Sequence, residues 1–309
     1  MREKTVLVTG GLGHIGSALI RSFAPDVTEV RIMDNLLTQR YASLFDLPQT
    51  PRFVFYEEDI LTADLEKRLT GVDVVIHLAA ITDAAGSFGK EEEVEEVNFK
   101  GLARVADACE KAGVKLFFPS TTSVYGSQES VVDETCAELK PQSPYGVSKL
   151  KAEEYLSGKR GKLKFVTCRL GTIFGWSMGM RFHTAVNKFI WQAVNGKPVT
   201  VWKTAWEQKR PYLDLADCVR AINFVIGKDM FDGELYNVVT KNFAVRDIVE
   251  AIQAFVPSLK VSYVDSPIMN QLSYDVASEK IAKRGFVPSG DLKAGIGGTI
   301  SHLVSIQNA

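Results

Sequence analysis

No long apolar run, no Cys-x-x-Cys pair and no long basic tract occurs in these 309 residues. Without an apolar stretch near the ~20 residues of a membrane span, no transmembrane segment is expected. Met1-Arg2-Glu3-Lys4 leads straight into an apolar strand, so no secretory leader is expected and the expected location is cytoplasmic. Cys109, Cys136, Cys168 and Cys218 are widely spaced, and the four histidines do not cluster. A disulfide framework or a metal site is therefore not expected. Lys and Arg number 36 against 37 Asp and Glu, with no long basic tract, which argues against a nucleic-acid partner. What is plentiful is apolar content, 46%, ample for one large core or two.

The most informative stretch comes first. Thr5-Val6-Leu7-Val8-Thr9 reads as a buried strand that ends in glycine. Gly10, Gly13 and Gly16 then lead into an apolar-periodic helix carrying His14, Ile15, Ala18, Leu19, Ile20 and Phe23. Glycines let the backbone turn tightly and approach a pyrophosphate, whose charge meets free N–H groups. Such turns also join strands to helices for packing alone. Here a second strand, Glu29–Met33, delivers Asp34 at about the twenty-residue separation expected of a carboxylate that binds the adenosine ribose. Asp34 would repel a 2′-phosphate, so the expected cofactor is NAD.

Strands and helices alternate from Thr5 to about Cys168, with no repeat. Strands are expected at 52–56, 72–77, 115–119 and 164–168, and one long helix at 91–112, stopped by Gly113. Another helix starts at Pro144, capped by Ser143, and ends at Ser157-Gly158. This pattern implies an α/β fold, a doubly wound parallel (Rossmann) sheet whose ligand crevice lies outside the strand carboxyl ends. Beyond Gly175 the alternation loosens: helices near 182–195, 215–227 and 244–255, short strands near 199–202 and 235–239. The expected division is an NAD-binding domain over 1–175 and a smaller C-terminal α/β substrate lobe over 176–309, with possible return segments to the sheet.

Tyr145 and Lys149 lie one helical turn apart and emerge on one face. A nearby ammonium and an oxidised nicotinamide would favour the phenolate, so Tyr145 could take a proton from a substrate hydroxyl. Thr121, at the end of the fifth strand, would hydrogen-bond the same oxygen. Tyr155 and Lys159 share the spacing, but Gly158 interrupts that turn. Tyr155 also lies about 80° round the helix, where packing is the expected role.

Taken together, Gly10-Gly11-x-Gly13-x-x-Gly16, Asp34-Asn35-Leu36, Asp59-Ile60, His77-Leu78-Ala79-Ala80, Asn98, Thr121 ahead of Val124-Tyr125-Gly126, and Tyr145-x-x-x-Lys149 resemble the extended short-chain dehydrogenase/reductases. Within these the chain is similar to the nucleotide-sugar epimerase/dehydratase group. The resemblance implies that NAD meets His14, Ile15, Asn35, Asn98 and Ser120 besides the glycines and Asp34. It further implies Asp59 and Ile60 at the adenine, Leu78, Ala79 and Ala80 along the cofactor backbone, and Lys149 at the nicotinamide ribose. Thr121 and Tyr145 would meet the reacting sugar oxygen, with Thr82, Thr122, Thr172 and Arg210 on the substrate. By the same likeness, helices 91–112 and 144–157 would pair in a homodimer.

Three departures bear on the reaction. Dehydratases of the group resemble Thr-Asp-Glu where this chain has Thr121-Thr122-Ser123, and decarboxylases usually keep a Glu at the position of Ser123. Elimination and decarboxylation therefore lack their acid. Arg169-Leu170-Gly171-Thr172 replaces the epimerases' Arg-x-x-Asn, and Met269–Tyr274 replaces their late Arg and Asp. Arg210 does match a diphosphate-binding arginine, to which a guanidinium fork is suited. The reading is an NAD-dependent epimerase of a nucleotide sugar, most often at C4. A net dehydrogenase or reductase of a similar sugar, and a non-catalytic NAD sensor, stay open as alternatives.

Overall fold

The computed structural model describes residues 3–265 and 273–304. The first half runs β1 (Lys4–Thr9), α1 (His14–Leu19), β2 (Val27–Asp34), β3 (Arg52–Glu57), α2 (Leu65–Leu69), β4 (Val74–His77), α3 (Glu91–Val94), α4 (Gly101–Ala112), β5 (Lys115–Thr121), α5 (Pro144–Ser157) and β6 (Phe165–Leu170). The second runs β7 (Thr172–Phe174), α6 (Ala185–Val194), β8 (Val199–Trp202), β9 (Lys209–Asp214), α7 (Leu215–Gly227), β10 (Leu235–Val238), β11 (Lys241–Ala244), α8 (Val245–Gln253), β12 (Val261–Val264), α9 (Glu279–Lys283) and α10 (Leu292–Val304).

Seven parallel strands form one sheet in the order β10-β6-β5-β4-β1-β2-β3. Alternate residues of a strand point to opposite faces, and β1 shows the consequence. Val6 and Val8 enter a core with Leu19, Ile222 and Val225, while Leu7 enters another with Leu102, Val105 and Leu156. Helices α1 and α7 thus cover one face, and α4 and α5 the other. β10 comes from beyond residue 175 yet pairs with β6, so the later chain supplies the sheet's edge strand. A third core, including Phe174, Ile190, Val201 and Ile248, sits under two small sheets, β11-β9-β7 and β12-β8.

The region read as one helix over 91–112 is broken: a π-helical turn, Glu95–Lys100, separates α3 from α4. The π turn carries Asn98, whose amide ties down the Ile81 backbone. Apolar periodicity cannot register one wide turn, because the buried stripe continues on both sides of it.

Candidate active site

The carboxyl ends of β1, β2 and β4 converge on the glycine turn. Gly10 has φ +64°, and a Cβ there would stand 2.5 Å from the Ala79 nitrogen, so only glycine fits. Thr9 holds the other wall: its carbonyl accepts from Leu78 N (2.9 Å), and its hydroxyl meets Ala79 N (3.4 Å) and His77 Nδ1 (2.9 Å). Burial pushes His77 down to about 3, so the ring is neutral. Asp34 spans the turn, accepting from Leu12 N at 3.1 Å and Leu36 N at 3.0 Å. Asn35 donates to Asp59 (2.8 Å), and Asp59 accepts from Leu61 N (2.8 Å), next to buried Ile60. His14 and Gly16 are buried in α1, Ile15 is half-buried, and Gly13 caps the helix. The His14 ring bonds to the Gly175 carbonyl at 2.8 Å, and burial lowers it to about 4.

Residues 175–181 lie over this turn. Ser177 Oγ donates to His14 O (2.9 Å), and Gly179 N donates to Ser17 Oγ (2.9 Å). A Cβ on Gly179 would meet the carbonyls of Leu12 and Gly13, the latter at 2.5 Å. Gly179→Ala should accordingly push the segment off the turn, at a cost of ~1–3 kcal/mol in stability. NAD affinity should fall about tenfold or more, measured by titrating cofactor-stripped protein; an unchanged affinity would show that the segment yields freely.

At the other end of the crevice, α5 presents Tyr145, half-buried, and Lys149, 4% exposed. Burial raises the Tyr145 phenol, while a hydrogen bond with the Thr121 side chain and the charge of Arg181 pull it back. Lys149 donates to the Pro119 carbonyl at 2.9 Å and lies 4.6 Å from the centre of the Phe118 ring. Burial brings Lys149 down to about 7 against the opposing charge of Glu153. Arg181, a residue outside the Tyr145-x-x-x-Lys149 spacing, thus adds a cation that favours the Tyr145 phenolate. Asn98 donates to Ile81 O (2.9 Å) and Ser148 Oγ (3.1 Å), and Ser148 Oγ donates to Tyr145 O (2.8 Å). Asn98 thereby fixes the loop after β4 against α5. Ser120 points elsewhere, its hydroxyl donating to Glu153, which pairs with Arg169 at 2.6 Å.

Among the residues expected to meet substrate, Thr122 Oγ1 lies 3.5 Å from the Tyr274 hydroxyl, and the charge of Arg210 acts on that same phenol. The Thr82 hydroxyl is buried with no hydrogen-bond partner among the described residues. Thr172 pairs with Tyr212 in the β7–β9 ladder. Of the late segment weighed above, Met269–Leu272 lie outside the described residues; Tyr274 is 6% exposed in this crevice.

The model of the NAD dependent epimerase/dehydratase family matches residues 6–238. The chain belongs to this family. A relative described as an uncharacterised UDP-glucose epimerase of Bacillus subtilis is 31% identical over 97% of this chain and 98% of its own. Among solved structures, the UDP-glucuronic acid 4-epimerase of Bacillus cereus, in complex with UDP-glucuronic acid and NAD, superposes with TM-score 0.90 at 26% identity, covering 98% of this chain and 99% of that one. A UDP-N-acetylglucosamine 4-epimerase of Methanobrevibacter ruminantium, in complex with UDP-N-acetylmuramic acid, gives TM-score 0.88 at 26% identity over all of both chains.

The protein is accordingly an NAD-dependent enzyme of the extended short-chain dehydrogenase/reductase type. Its crevice fits that cofactor: a glycine turn that admits no side chain at Gly10, a carboxylate at the end of β2, and a buried amine at Lys149. Three residues of this crevice were not singled out by sequence reasoning: Arg40, Asp83 and Arg181; Tyr274 entered only as part of the late segment. Arg181 and His183 feel Arg40 and Asp83 electrostatically, and burial drives His183 down to about 4. The small residues Ser177 and Gly179 were the available signal for the segment holding Arg181, since close backbone approach needs them.

Proposed function

We propose that this enzyme is a nucleotide-sugar epimerase that oxidises the sugar, at C4 by preference, to a transient keto-sugar and reduces it again on the opposite face. The observation that carries this reading is the reacting end of the crevice. Tyr145 meets Thr121 there, and the next two side chains are the hydroxyls of Thr122 and Ser123, so neither of these two positions offers a carboxylate to expel water or assist decarboxylation. In this reading the Tyr145 phenolate accepts the substrate hydroxyl proton and later gives it back, while Thr121 steadies the oxygen. NAD, when bound, takes two electrons and one hydrogen from the sugar carbon and returns them. Lys149 would hold the nicotinamide ribose, Asp34 the adenosine ribose, and the glycine turn the pyrophosphate. Arg210 would pair with the sugar nucleotide's diphosphate, with Thr82, Thr122 and Thr172 as further substrate contacts.

UDP-sugars head the candidate substrates because the relatives named above act on or bind them. We further propose NAD-binding and substrate lobes meeting near residue 175, a cytoplasmic location, and a homodimer formed through residues 91–112 and α5. Val147, 39% exposed on α5, and the half-buried Phe99 and Tyr155 support the dimer as apolar surface on that side.

The test is absorbance in the reduced-nicotinamide band during incubation with UDP-, GDP-, CDP- and dTDP-sugars. Interconversion of one sugar without net reduced cofactor is expected. Stoichiometric accumulation of reduced cofactor would identify a net dehydrogenase instead.

A further inference from the structure

The loop after β2 is held at both ends against the glycine turn. Ser43 Oγ donates to the Leu12 carbonyl (2.9 Å), and Arg21 donates to the carbonyls of Ser43 (2.9 Å) and Phe45 (2.5 Å). Leu36 and Gln39 sit at φ 55° and 49°, a region that costs non-glycine residues energy and persists only where the surroundings enforce it. The product of this bracing is the placement of Arg40. One of its Nη atoms lies 4.0 Å from where a Cβ on Gly13 would stand. Among the described residues its guanidinium makes no hydrogen bond or ion pair. Asp34 is the acid it feels, and burial weakens its protonation; Arg181 and His183 feel its charge.

A braced guanidinium aimed at a glycine turn, with no protein anion bonded to it, calls for an external anion. Two phosphate positions of a dinucleotide compete for it. A 2′-phosphate would have to sit beside the Asp34 carboxylate, which repels it. The pyrophosphate belongs at the glycine turn, where the Arg40 fork already lies. We infer that Arg40 is a cofactor-binding residue that pairs with the pyrophosphate of the dinucleotide, supplying the full positive charge that the backbone turn lacks.

The inference rests on the dinucleotide site described above, and the experiment separates the two. Cofactor-stripped wild type, Arg40→Gln and Arg40→Lys are titrated with NAD, ADP, 2′-AMP and adenosine, with unliganded melting temperature as the folding control. Arg40→Gln should weaken NAD and ADP about tenfold or more, leave 2′-AMP and adenosine unchanged, and be partly rescued by Arg40→Lys. An equal loss for adenosine and ADP would reduce Arg40 to a structural part of the loop. Loss confined to 2′-AMP, or none at all, would also overturn the assignment. Wild type that bound neither NAD nor ADP would instead overturn the dinucleotide site itself.

Discussion

Tyr145→Phe is expected to lower kcat about 10²–10⁴-fold, the range spanned by positioned proton transfer, while NAD stays bound and the melting temperature hardly moves. The ring of Tyr145 keeps its packing in this variant, and its backbone contacts through Ser148 and Ser87 involve no phenol oxygen. Only the proton-carrying atom and its bond to Thr121 are lost. Steady-state kinetics together with cofactor content of the purified variant check this. Retention of more than about a tenth of wild-type kcat would sink Tyr145 as the base. The pH profile adds a sign: burial raises the phenol, so activity should climb towards alkaline pH as the phenolate forms. Removing the charge of Arg181 should push that limb to still higher pH.

Glu153→Ala is expected to destabilise the protein by about 3–5 kcal/mol, the cost of stranding a buried charge. Arg169 is 4% exposed and Glu153 8%, joined through both carboxylate oxygens at 2.6–3.2 Å. Burial alone would weaken the protonation of Arg169, but the Glu153 carboxylate raises it well above the ordinary arginine value. With Glu153 gone, the guanidinium would have to be solvated by the Tyr125 ring, 4.7 Å away, and little else. Ser120 would lose its acceptor at the same time, loosening the end of β5 just ahead of Thr121. Replacing both partners, Glu153→Leu with Arg169→Met, should recover much of the loss because no charge is left buried. Denaturant titration measures each variant; a single-variant loss under about 1 kcal/mol would mean that water reaches Arg169.

The sequence by itself determined the features carried by short spacings along one chain segment. Period-two and period-3.6 patterns located the strands of the main sheet and α5 with its cap at Ser143, because each pattern reports which face is buried. The glycine turn, Asp34 and the Tyr145–Lys149 pair were legible for the same reason, each being fixed by a few covalent bonds. Tertiary structure alone decided what those features touch. Lys149 bonds to the Pro119 carbonyl, and Arg181, 36 residues from Tyr145 along the chain, adds a charge that favours its phenolate. Ser120 turns to Glu153 instead of the crevice, β10 returns to pair with β6, and Gly179 closes over Leu12 and Gly13. None of these contacts leaves a periodic trace, because a side chain's partner across the fold is selected by how the layers stack and which buried charges must be matched.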